Sequence, residues 1–185
     1  MPRYFNSEEL LKVDEAGKVS EELVNNYFKM SSGKWLKNRY DIRTARDLEP
    51  HEHVDGPVAQ VVKYEARKKD VPLGSSSFSL YRVCLQDRAI LSITRSRNIL
   101  LQPFLLYILS HELIHVVRFS KFKQRYEKRN ESDVTLDEEH RVHCLTHDIL
   151  KNVSIAGLEQ VFDFYKDWLY LPESETNDFF LDERS

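Results

Sequence analysis

Between Pro103 and Phe119 the chain reads Pro-Phe-Leu-Leu-Tyr-Ile-Leu-Ser-His-Glu-Leu-Ile-His-Val-Val-Arg-Phe, a stretch with almost no polar face. A helix that is apolar all round does not lie on a surface; it runs through the interior with other elements packed about it. Pro103 suits the first turn, where the N–H it lacks would have no partner. Within this run stand His111, Glu112 and His115. An unpaired carboxylate is expensive inside a protein, so a buried His-Glu-His set needs a partner. Residues i and i+4 share one face of a helix. His111-Glu112-Leu113-Ile114-His115 can therefore hold one metal ion between two imidazoles, with Glu112 beside them facing a bound water. The plainer alternative is a pair of core-edge histidines satisfied by hydrogen bonds.

The remaining composition sets bounds. A chain of 185 residues is expected to form a single domain, with residues 1–100 supplying N-terminal helices and a sheet, and residues 101–185 a helical half that carries the site. A hydrophobic content of 41% beside 31% charged residues reads as soluble and globular, and the net charge of −3 is too small to imply a partner. No uncharged apolar stretch reaches about 18 residues, and Met1 to Asn6 lacks an apolar signal core, so no membrane association and a cytoplasmic location are expected. Cys84 and Cys144 form no Cys-x-x-Cys pair, which argues for reduced thiols and against a thiolate zinc site. The basic run Arg118, Lys121, Lys123, Arg125, Lys128 and Arg129 reads as the solvated C-terminal end of the helix, since acidic residues from Glu131 to Glu139 follow at once. Nucleic acid is therefore not the expected partner.

Ser20 to Met30 reads as a helix with Ser20 as its cap, and Gly33 to Arg46 as a second helix or helical turn. His51 and His53 lie between Pro50 and Gly56-Pro57, where loop histidines are ordinarily solvated. Val58 to Glu65 suits a strand or short helix, and Leu73 to Ser77 a loop. Phe78 to Leu85 and Ala89 to Thr94 are apolar, β-branched runs parted by three residues, a hairpin signal. Leu158, Val161, Phe162, Tyr165, Trp168 and Leu169 recur at helical spacing, as in an amphipathic helix packed on the core. Asp178 to Ser185 forms an acidic, aromatic tail. The expected fold class is α+β, a small sheet packed on the buried helix and on a second, glutamate-bearing helix.

Two histidines leave a catalytic zinc short of its usual three protein ligands. The further candidates lie between Leu136 and Leu150, a second helix whose inner face carries Val142, Leu145, Ile149 and Val153. At about 100° per residue, Glu138 falls about 25° from that apolar direction and Glu139 about 75°, on opposite sides. Periodicity therefore turns His140 away and leans to Glu138.

A buried HExxH helix followed by a glutamate on a second helix resembles the gluzincin group of zinc metallopeptidases. Here 23 residues separate His115 from Glu139. In that group an acidic residue often stands four places after the glutamate ligand and orients a zinc-bound histidine. Glu139-His140-Arg141-Val142-His143 keeps the spacing and carries His143 at that place. The resemblance thus implies zinc ligation by His111, His115 and Glu139, with Glu138 in reserve and His143 supporting a ligand or completing the set. It further implies a zincin-like fold of minimal size, a peptide or protein substrate, and Glu112 as general base for hydrolysis of the peptide bond. Such enzymes often add a Tyr or His that steadies the developing oxyanion; Tyr126, His147, Tyr165 and Tyr170 are the candidates. The resemblance spans Pro103 to Leu150 only. Two other classes remain open at this point: a non-catalytic zinc-binding regulator or interaction module, and a nucleic-acid-associated protease docked through the basic run.

Overall fold

The computed structural model describes residues 3–31, 40–67, 77–121 and 131–170. Helix α1 (Ser7–Tyr27) opens with a capping box: the Asn6 side chain accepts the Glu9 N–H at 2.9 Å, and the Glu9 carboxylate accepts the Asn6 N–H at 2.8 Å. These reciprocal bonds satisfy donors that a helix start otherwise leaves orphaned. Ser20, expected as a cap, lies inside α1 instead. It is fully buried, and its hydroxyl donates to the Leu106 carbonyl at 3.3 Å. The small side chains of Ala16, Gly17 and Ser20 let α1 lie close to its neighbours; a Cβ on Gly17 would stand 3.1 Å from Ile42 Cδ1.

Strands β1 (Tyr40–Arg43), β2 (Ala59–Arg67) and β3 (Ser77–Leu85) form a three-stranded sheet in the order β1-β3-β2 among the described residues. β1 runs parallel to β3 with Ile42 opposite Val83, and β2 runs antiparallel with Val61 opposite Val83. Tyr81, Val83 and Leu85 are buried in the core, the period of two that a strand imposes. On the opposite face, the fully buried carboxylate of Glu52 accepts from Arg82 Nη1 at 3.0 Å and from the Tyr64 hydroxyl at 2.5 Å. Burial pushes this carboxyl up, but the Tyr64, Glu49 and Arg82 donors outweigh it and hold it below the usual carboxylate range.

Two expectations are corrected here. Tyr40–Arg43 is a strand, not part of a helix; Ala45–Asp47 is a short 3-10 turn, and the rest of the expected Gly33–Arg46 helix falls largely outside the described residues. Ala89 to Thr94 is not the second strand of a hairpin but lies within helix α2 (Asp87–Ser96). The reason is Asp87. Its buried carboxylate accepts the N–H groups of Phe5 and Ala45, each at 2.9 Å, and anchors the first turn where the helix dipole favours an anion. Ile90 and Leu91 then enter the core while Arg88, Ser92 and Arg95 face water, a helical pattern and not an alternating one.

Helix α3 (Leu101–Lys121) is the axis of the molecule, with every residue from Pro103 to Arg118 buried. Helix α4 (Glu131–Leu150) packs beside it, inserting Val142, Leu145, Ile149 and Leu150. Helix α5 (Leu158–Leu169) follows a turn at Gly157, whose φ of 88° suits glycine. A Cβ at Gly157 would also meet Leu100 Cδ1 at 2.9 Å. The fold is thus α+β, with five α-helices and a small sheet among the described residues. Among the described residues no helix is long and apolar enough to cross a membrane. The tail from Asp178 and the loop from Leu73 through Ser76 lie outside the described residues.

Candidate metal centre

α3 and α4 lie side by side, and their facing turns bring three side chains together. His111 Nε2 stands 3.1 Å from His115 Nε2 and 3.3 Å from Glu139 Oε2, while His115 Nε2 stands 3.1 Å from Glu139 Oε1. The histidines share a face because they are one turn apart on α3; Glu139 reaches them from α4. A tetrahedral ion with bonds of about 2.0–2.1 Å holds its ligand atoms about 3.4 Å apart. Each contact is close to that spacing, although the two histidines meet different oxygens of Glu139, and two nitrogens with one carboxylate form a donor set that suits zinc. No other such group of His, Cys, Asp and Glu is found among the described residues.

The electrostatics agree with a place for a cation. Burial lifts the Glu112 carboxyl above its ordinary range, and the neighbouring His111 and His115 only partly oppose this. Glu112 is 7% exposed, and among the described residues no hydrogen bond or ion pair reaches its carboxylate. For Glu139, burial likewise pushes upward, but the hydrogen bonds and charges of His111 and His115 prevail and hold the carboxyl well below its usual range. For His115, burial favours the neutral ring, yet the bond to Glu139 and the charges of Glu112 and Glu139 raise its pKa overall. Glu139 thus pairs with both imidazoles, while Glu112 is buried beside them without such a contact among the described residues.

Glu138, which periodicity favours, is committed elsewhere. Arg118 Nε donates to its Oε1 at 2.6 Å and Arg118 Nη2 to its Oε2 at 3.1 Å, a bidentate pair buried to 3% and 8% exposure. Arg118 accordingly is not part of a solvated basic end; Lys123, Arg125, Lys128 and Arg129 lie outside the described residues. Sequence reasoning missed this partner. An arginine three residues past the second histidine, on a helix with no exposed face, was the available signal.

His143 belongs to the wall of the site and not to the trio. Its Nδ1 is 2.7 Å from the Tyr107 hydroxyl, and its ring lies 4.4 Å from that of His111 between centroids. Burial holds its pKa far below the ordinary histidine range, so the ring is neutral. Tyr165 stacks on Tyr107 with centroids 4.4 Å apart, and Trp168 stacks on His143 at 4.8 Å. Tyr107, absent from the expected site residues, joins all of these. His147 packs instead on Phe162, Tyr170 is 80% exposed at the end of α5, and Tyr126 lies outside the described residues. His140 is turned from the trio toward Cys144 Sγ, 3.5 Å away. Cys84, fully buried, and Cys144 are both free thiols. His51 and His53 are exposed, and His51 contacts the Tyr64 hydroxyl. Compared with protein families, curated proteins and solved structures, the chain matches none.

Proposed function

We propose that this chain is a minimal, gluzincin-like zinc metallopeptidase whose metal is held by His111, His115 and Glu139. The observation that carries the reading is the convergence of two Nε2 atoms and a carboxylate at 3.1–3.3 Å on facing buried helices, with Glu112 alongside. A bound zinc ion supplies Lewis acidity there, bringing a water's pKa toward about 7 and polarising a carbonyl. Glu112 is the general base. Its carboxylate accepts a proton from the attacking water and returns it to the leaving nitrogen, and its raised pKa brings it nearer the neutral range where such transfer is efficient. Glu139, held ionised, keeps a charged donor in place.

Two features support a hydrolytic site over a purely structural one. Among the described residues the group that could hold an ion comprises three side chains, His111, His115 and Glu139, and a tetrahedral ion on three ligands keeps a fourth position for water. In the three-stranded sheet β2 is an edge strand, and an extended peptide can pair with such an edge. The test is hydrolysis of an unstructured protein, read by mass spectrometry, with stoichiometric zinc and with chelator. The reading requires cleavage with zinc alone and its loss, by about 10²- to 10⁴-fold, in a Glu112→Gln variant that keeps its metal. A zinc-loaded protein that leaves a broad set of unfolded substrates intact would refute it.

A further inference from the structure

A histidine that binds metal through Nε2 carries its proton on Nδ1, and that N–H ordinarily donates to a carbonyl or carboxylate which fixes the ring. Here the Nδ1 atoms of His111 and His115 are both buried without a hydrogen-bond partner among the described residues. Something else must hold the rings. Tyr107, His111, His115 and Phe119 follow one another at i, i+4, i+8 and i+12 along α3, a single column of rings. Tyr107 stacks on His111 at 6.5 Å with 19° between planes, and Phe119 stacks on His115 at 5.5 Å and 24°. The two imidazoles meet each other edge-on at 4.8 Å.

The inner end of this column is pinned from outside α3. Tyr107 is 2% exposed, and its hydroxyl meets His143 Nδ1 at 2.7 Å across the helix interface. The hydroxyl and Nδ1 share one hydrogen bond, whose donor follows the His143 tautomer. His143 is one turn beyond Glu139 on α4, as Tyr107 is one turn before His111 on α3. The helices are therefore joined here by Tyr107 to His143 and by His111 and His115 to Glu139, and farther along by the Arg118–Glu138 pair. The His143 ring, pressed between His111 and Trp168, closes the arrangement.

We propose that Tyr107 and His143 are positioning residues of the metal centre, orienting His111 by ring packing and fixing the spacing of α3 and α4 in place of the missing Nδ1 acceptors. This rests on the metal reading of the same site. The pair acts through His111, against which both rings pack, and through the spacing of Glu139.

The experiment measures Zn2+ affinity by chelator competition and the visible absorption of the Co2+-loaded full chain. Tyr107→Phe, which keeps the ring and removes the hydroxyl, should weaken Zn2+ binding about tenfold or more and alter the Co2+ bands. His143→Leu should do the same, and His143→Asn, whose side-chain oxygen can still accept from Tyr107, should recover part of the loss. Leu109→Ala, a fully buried change on α3 outside the ring column, controls for loss of stability. It should lower Tm while leaving the affinity and the bands unchanged. Wild-type affinity and spectrum in Tyr107→Phe, or an equal loss in Leu109→Ala, would overturn this inference alone. Failure of the wild-type chain to take up either ion would overturn the metal reading as well.

Discussion

At the scale of the residue, the trio is a set of coupled proton sites from which the proposed metal would have to displace a proton. His115 has its pKa raised by Glu139 and Glu112 despite burial, so over its lower pH range the ring carries a proton the metal has to displace. Zinc affinity should climb as pH rises through and above about 6.5, the ordinary histidine value, and level off once the ring is neutral. Isothermal titration in buffers of different ionisation enthalpy should register proton release on binding below that plateau; pH-independent binding between about pH 5.5 and 8 would contradict it. The metal-free protein behaves oppositely. The raised His115 pKa lends stability that is complete below about 6.5 and is lost as pH rises through the folded value; the lowered Glu139 pKa lends stability present above about 4.3 and lost as pH falls. This pair therefore stabilises the metal-free fold most between those values.

At the scale of the element, adjacent glutamates on α4 have separate tasks. Glu139→Gln should abolish tight zinc binding and take from the metal-free fold only the stability that its partly exposed contacts with His111 and His115 lend. Glu138→Gln should leave the zinc stoichiometry intact and destabilise the fold by about 3–5 kcal/mol in denaturant titration, since it breaks a buried bidentate pair. The reverse pattern would exchange their roles. Here lies the limit of what the sequence discloses. Periodicity points to Glu138 as the more inward residue, and it is the more buried of the two; but burial reports packing, and the packing partner is Arg118. Choosing between the glutamates needs the facing helix, which no one-dimensional pattern contains. The α3 helix was legible because sixteen consecutive buried residues, Pro103 to Arg118, leave a composition that no surface element shares. α2 was not, because Ala89 to Thr94 is β-branched and apolar enough for a strand, and only contacts of Asp87 with Phe5 and Ala45, distant in sequence, settle it as a helix. β1 was missed for a similar reason: four residues carry too short a period to read, and its pairing with β3 is long-range.

At the scale of the whole molecule, the proposed metal binding would be linked to folding. The centre joins α3 to α4, and α3 also packs on α1, α2, α5 and the sheet. A ligand that binds only the folded state stabilises it by about 2.7 kcal/mol when free zinc exceeds Kd about a hundredfold. For a chain of this size that is a rise of roughly 5–10 °C in Tm. Scanning calorimetry with zinc and with chelator should show this rise, and the shift should vanish in His115→Ala. A zinc-independent Tm in the wild-type chain would mean that the trio is a hydrogen-bonded cluster of the core.

The most direct test is anomalous diffraction from crystals of protein purified without chelator, with data collected on both sides of the zinc absorption edge. One strong peak is expected within about 2.2 Å of His111 Nε2, His115 Nε2 and a Glu139 oxygen, with a solvent molecule as the fourth neighbour. Featureless density among those atoms, or a peak whose fourth ligand is another side chain of the protein, would contradict it.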